Sequence, residues 1–223
     1  MNTLVDRWRD VVVPLCPVEL APGAVALGED LLQRWLEPHR SYHDVVHLAE
    51  VLAALDELGE GGALPEGSGA VADLVAWFHD AVYDVHAPPG ETEEASARLA
   101  EETLPGIGLP PDVVAAVARV VRESATHEPS GTGPDPMGDA FHDADLWILS
   151  AGTERFDAYC HQVRLEYRQV PAEDFARGRS EVLAPFARRE RLYRTDHAHE
   201  HWTARARANL ARELDRLSVA PPA

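Results

Sequence analysis

Apolar residues return at three- and four-residue steps along almost the whole chain, and this periodicity restricts the fold more than any other feature. Leu4, Trp8, Val11 and Val12 mark a first helix, and Val25, Leu27, Leu31, Leu32 and Leu36 a second that ends before Pro38. Val45, Val46, Leu48, Val51, Leu52 and Leu55 mark a third, closed by the Gly-rich stretch GEGGALPEGSG from Gly59 to Gly69. VADLVAWFHDAVYD, from Val71 to Asp84, reads as a buried helix. Thr92 is the expected N-cap of the next, with Glu91, Glu93 and Glu94 at the positive end of its dipole. Pro110 and Pro111 open another, and EPSGTGPDPMG, Glu128 to Gly138, is a turn-rich loop. Phe141 to Ile148 follow, then a long helix through Phe156, Tyr159, Val163 and Tyr167, a helix opened by Pro171, and a last one over Trp202 to Leu217. Strand-like alternation between hairpin turns is absent from the sequence. The expectation is one all-α domain over residues 1–223.

Composition narrows the function classes. At 45% hydrophobic and 26% charged, the 223 residues fit an ordinary globular protein, and no run is long enough for a membrane span. Asp6, Arg7, Arg9 and Asp10 occupy what would be a signal's apolar region, so a secretory peptide is not expected. Two cysteines, Cys16 and Cys160, make no disulfide framework, and the expected compartment is the reducing cytoplasm. A net charge of −18 leaves no basic footprint for a nucleic acid polymer. Between Arg164 and Arg194, however, eight arginines face five acids, which suits a small anionic ligand or a salt-bridged helix face. All 20 basic residues are arginine, which excludes Schiff-base chemistry and a P-loop, since both need lysine.

The conspicuous irregularity is His79-Asp80 inside the apolar run VADLVAWFHDAVYD. Burying a charge without a partner is costly. Three other groups are similar: His43 and His47 in RSYHDVVH, Thr126-His127 after an apolar helix, and Asp143 and Asp145 in FHDADLWIL. Taken singly, each has an ordinary explanation, such as Asp143 as an N-cap or His47 bonded to a carbonyl. Taken together, imidazoles and carboxylates are the ligands of Zn, Mn, Fe and related ions. Adjacent residues on a helix point about 100° apart, so His79 and Asp80 can share an ion only in a crevice between helices. His47 and Asp145, each expected near a helix start, are suited to complete it.

The ordered set His47, His79-Asp80, Asp145 resembles the HD-domain superfamily of metal-dependent phosphohydrolases. YHDVVH, AWFHDAVYD, TEEASA, DADLWIL, VRLEY and Gly178-Arg179 are similar to a branch described as predicted HD phosphohydrolases. The resemblance runs from about residue 40 to 210. It implies an HD-type helical bundle, with a metal-site core over about 40–150 and additional C-terminal helices over about 153–217. It also implies a divalent ion, one or two of Mn, Fe, Zn, Co or Mg, held by His47, His79, Asp80 and Asp145. The branch commonly has Asn where Asp44 and Thr92 stand. The Glu-Asp pair of the guanosine-tetraphosphate hydrolases is replaced by Val82, Tyr83 and Asp84, so that substrate is not supported.

The expected activity is hydrolysis of a small phosphate ester or nucleotide by a metal-activated water. Asp84, one helical turn after Asp80, is the first candidate to orient water or move a proton, with Glu94 second. His127 is a candidate acid, substrate contact or further ligand. Arg164 and Arg179 are candidate phosphate clamps, with Tyr167 beside them. Two alternatives remain: an HD-fold diiron oxygenase using His43, His127 and His142, and a metal-containing ligand-binding or regulatory protein without turnover. A homo-oligomer is compatible with either.

Overall fold

The structure is a computed structural model that describes residues 2–128 and 133–219. Among them are ten α-helices, four short 3-10 turns and no strand, so the fold is all-α. The helices are α1 (Asn2–Val11), α2 (Ala21–Trp35), α3 (Val45–Glu60), α4 (Gly69–Phe78) and α5 (Glu91–Thr103). They continue with α6 (Pro111–Glu123), α7 (Pro136–Asp145), α8 (Thr153–Glu166), α9 (Ala172–Arg188) and α10 (Asp196–Ser218). Among the described residues no helix is long and apolar enough to cross a membrane.

Helix α4 is the axis of the molecule. Every residue from Ala72 to Phe78 is buried, as expected of a helix that is apolar all round. It contacts α3, α5, α6 and α7. Its one buried acid, Asp73, is met by the Arg7 guanidinium at 2.7 and 2.8 Å, and Arg7 also reaches Asp56 of α3 at 2.5 and 2.8 Å. One arginine thereby joins α1, α3 and α4. The Trp8 ring of α1 crosses Trp77 of α4 edge-on at 5.2 Å, and its indole N–H donates to the Ala24 carbonyl of α2 at 2.7 Å. Trp35, closing α2, donates to the Trp77 carbonyl at 3.0 Å. α5 and α6 form a hairpin tied by Arg122 to Glu94 and Glu101. α10 packs on α9 and on the 3-10 turn Leu146–Ser150.

Several local expectations are corrected. The helix containing VADLVAWF stops at Phe78, so Asp80 and Asp84 do not share a helical face. The carbonyls that the next helical residues would use are engaged by side chains, Ala76 by His79 Nδ1 at 2.8 Å and Trp77 by the Trp35 indole N–H at 3.0 Å, and past the helix end Arg40 donates to the carbonyls of Asp80 (2.7 Å) and Ala81 (3.2 Å). The α5 N-cap is Gly90, with φ +83°, and Thr92 is already inside the helix. Only glycine adopts that left-handed backbone without strain. Asp135, not Asp143, caps α7, which begins at Pro136; residues 129–132 of the expected loop lie outside the described set. Asp145 therefore ends its helix rather than starting one.

A Cβ on Gly28 would lie 2.4 Å from the Trp8 ring, which is fully buried and held by its hydrogen bond. Gly28→Ala is expected to lower unfolding free energy by about 1–3 kcal/mol, despite alanine's better helix propensity, in a urea titration.

Candidate metal centre

Four side chains from three parts of the chain converge. Asp44 caps α3 by accepting the N–H of Val46 at 2.8 Å and of His47 at 3.4 Å, which places His47 in the first turn. His79 ends α4, its Nδ1 2.8 Å from the Ala76 carbonyl. That nitrogen must carry the proton, so a neutral His79 aims the lone pair of Nε2 inward. Asp80 follows in the turn, and Asp145 arrives as the last residue of α7.

The distances suit one ion. His47 Nε2 lies 3.2 Å from His79 Nε2, 3.2 Å from Asp145 Oδ1 and 3.7 Å from Asp80 Oδ2. His79 Nε2 lies 3.2 Å from Asp80 Oδ2 and 3.6 Å from Asp145 Oδ1. Donors at adjacent positions around an ion with bonds of about 2.1 Å stand about 3.0 Å apart in an octahedron and about 3.4 Å in a tetrahedron. The group His47, His79 and Asp80 could hold a metal ion, and Asp145 Oδ1 stands beside its two histidine nitrogens.

Electrostatics favour a cation there. His47 and His79 are each 2% exposed, and the Asp80 and Asp145 side chains 16% and 11%. Burial works against charge on His79, yet Asp80 and Asp145 outweigh it and lift its pKa to about 9. Burial likewise pushes both carboxyls up, but the neighbouring histidines hold each well below the usual range. Asp145 also sits at the negative end of the α7 dipole, where a carboxylate is disfavoured unless a cation offsets it.

Two residues that the sequence did not single out hold this arrangement. Arg40, with a side chain 0% exposed, donates to the carbonyls of His43 (3.0 Å), Asp80 and Ala81, and lies 5.4 Å from the centres of the Trp35 and Tyr83 rings. It thus fastens the turn carrying Asp80 to the loop before His47. Glu166, at the end of α8, accepts the backbone N–H of Ser41, Tyr42 and His43 through one oxygen at 2.7–3.0 Å. Its other oxygen meets His43 Nδ1 and the Tyr83 hydroxyl, both at 2.8 Å.

The four ligand candidates stand beside a cavity of about 460 Å³, whose wall includes His47, Asp80 and Asp145. Tyr42, His43, His127, Arg179 and Arg189 line it too. His127, with φ +51°, is held by Arg194 on its carbonyl and stands 3.9 Å from Asp145. A non-glycine residue in that region is strained. Burial lowers the His127 pKa and keeps the ring neutral. The Tyr42 hydroxyl and His127 Nδ1 are buried without a protein partner.

Other expected site residues lie elsewhere. Asp84 is exposed and accepts the His86 N–H at 2.9 Å, in a hollow with His39 and Arg168. Glu94 is bound by Arg98 and Arg122 on the α5 surface; its neighbour Glu93 lines the cavity instead. Arg164 donates to the Tyr167 (2.5 Å) and Val170 (2.9 Å) carbonyls and so closes α8 rather than clamping phosphate. Tyr167 borders a separate apolar cavity. Asp143 accepts the Arg194 and Thr195 N–H groups and the Thr195 hydroxyl at 2.7–2.8 Å, securing the entry to α10. His142 lies behind His127, ring centres 5.7 Å apart, and is not among the cavity residues.

The class the fold and site define is an all-α protein with two buried histidines and two partly buried aspartates clustered beside an arginine-bearing cavity. No family model, curated protein or solved structure matches the chain.

Burial raises the Glu166 pKa, but the His43 hydrogen bond and charge and the backbone N–H groups outweigh it and hold it at about 2, against an ordinary 4.5. A depressed pKa contributes stability that is full above the ordinary value and lost as pH falls through the folded one. Glu166→Gln is expected to cost about 3 kcal/mol at neutral pH, and its deficit relative to wild type to close between pH 4.5 and about 2 in chemical denaturation series.

Proposed function

We propose that this protein is a metal-dependent phosphohydrolase of the HD type, acting on a small phosphate ester or nucleotide. The observation that carries the reading is the convergence of His47, His79, Asp80 and Asp145 beside a cavity that also presents Arg179. A divalent ion of the Mn, Fe, Zn, Co or Mg kind, held by those four residues, would supply an acidified water and a polarised phosphoryl oxygen.

The chain's own residues supply the rest. Arg179, on α9, stacks 5.0 Å over the Tyr159 ring and donates to its hydroxyl, which leaves a rigid guanidinium on the cavity wall to bind phosphate oxygens. Neutral His127 and the Tyr42 hydroxyl offer hydrogen bonds to the same anion. His43 is the proton-handling group: Glu166 holds its Nδ1 and leaves Nε2 for the cavity, while Glu166 and Asp80 raise its pKa against burial. A carboxylate that orients an imidazole and stabilises its protonated form is the arrangement general acid catalysis requires.

One placement weighs against the diiron alternative: His142, one of the three additional histidines it would use, is not on the cavity wall, whereas His43 and His127 are. The His43–Glu166 pair also favours turnover over mere ligand binding.

Elemental analysis of purified protein, followed by a phosphate-release screen over nucleotides and phosphorylated metabolites with added divalent ions, tests the reading. Asp80→Ala is expected to abolish bound metal and phosphate release while the far-ultraviolet helical spectrum is kept; full activity in that variant would remove the proposal. His43→Gln is expected to lower kcat about a hundredfold with metal content retained and KM little changed. An equal fall in metal content would make His43 a ligand rather than a proton carrier.

A further inference from the structure

Gly178 is the starting point. It stands inside α9, where glycine costs about 1 kcal/mol relative to alanine. Two other helical glycines have a steric reason, since a Cβ on Gly28 would strike Trp8 and one on Gly138 would strike the Asp135 carboxylate at 2.2 Å, whereas Gly23, Gly59 and Gly69 have none. A Cβ on Gly178 would meet no atom within 4 Å. The space it leaves belongs to a cavity of about 340 Å³, bordered by Val163, Tyr167, Val170, Phe175 and Val182.

This cavity adjoins the one beside the His47 and Asp145 cluster. Phe175, Gly178, Arg179 and Val182 stand at positions i, i+3, i+4 and i+7, so they share one face of α9. Arg179 and Val182 border both cavities, and the same face continues through Phe186 into the first. Val182 is 53% exposed at the shared edge. An anion-binding guanidinium therefore stands between a cavity with a metal-ligand cluster and one lined mainly by apolar and aromatic side chains.

We infer that the cavity opened by Gly178 receives the apolar part of the phosphate ester whose phosphate is bound at Arg179, so that the substrate is a phosphomonoester of a hydrophobic or aromatic alcohol. The inference rests on reading the cavity beside the His47 and Asp145 cluster as a phosphate-ester site. It commits the second cavity to the same molecule, because Arg179 joins the two.

The test is calorimetric titration of the Mn²⁺-supplemented protein with 1-naphthyl phosphate and with inorganic phosphate. Wild type is expected to bind naphthyl phosphate at least about tenfold more tightly than phosphate, as burial of an apolar ring predicts. Gly178→Leu is expected to erase that preference and Gly178→Ala to reduce it in part. Both replacements favour the helix, and circular dichroism checks that fold is kept. No preference in wild type, or an equal preference in Gly178→Leu, overturns the inference. A preference lost in Gly178→Leu supports the subsite even where no phosphate is released. Release that is indifferent to Gly178 removes the subsite and leaves the hydrolase reading standing.

Discussion

Two carboxylates and two imidazoles share a space from which water is largely excluded, and the architecture follows from making that tolerable. Asp80 and Asp145 would be costly to keep ionised in such surroundings without nearby positive charge. His47 and His79 face them at 3.2–3.7 Å. Placing these groups together requires α3, α4 and α7 to end or begin at one point, and those helices are indeed mutual neighbours in the core.

Rigidity at that point comes from side chains bonded to backbone rather than from the cluster itself. Arg40 gathers three carbonyls, and Glu166 gathers three N–H groups of the same loop. A buried guanidinium satisfies carbonyls that a loop and a turn leave open, and a buried carboxylate satisfies donors that the same loop leaves open. The two residues have complementary tasks on either side of His43. Asp44, between them, sets the first turn of α3 and with it the direction of His47.

The helical fold was legible because apolar spacing is a local signal, and the helix starts at Pro111 and after Pro171 were read from proline's fixed backbone. The His and Asp candidates were legible by chemistry: polar groups inside apolar runs need partners, and His47, His79, Asp80 and Asp145 do meet. The position of Asp84 is not legible because periodicity carries through a helix end when apolar residues continue past it, and the side chains that bond the carbonyls there, Trp35 and Arg40, lie 42 and 40 residues upstream. Glu94 and Glu93 are interchangeable in sequence; only the rotation of α5 assigns one to Arg122 and the other to the cavity. Glu166 bonds to residues 123 to 125 positions away, a separation at which no pattern in the chain carries information. Arg164 and Arg179 illustrate the same limit: both are arginines on C-terminal helices, and one ends on its own carbonyls while the other reaches the cavity.

The Arg40 clamp has a consequence for assembly of the centre. It joins the turn bearing Asp80 to the loop bearing His43 through main-chain oxygens, without using any of the four ligand side chains. The scaffold is therefore mechanically closed independently of the ion, unlike small domains whose fold is the metal's own doing. An ion entering such a frame would meet a finished surface, and exchange of one divalent ion for another would need only side-chain movement, with the helices left where they are.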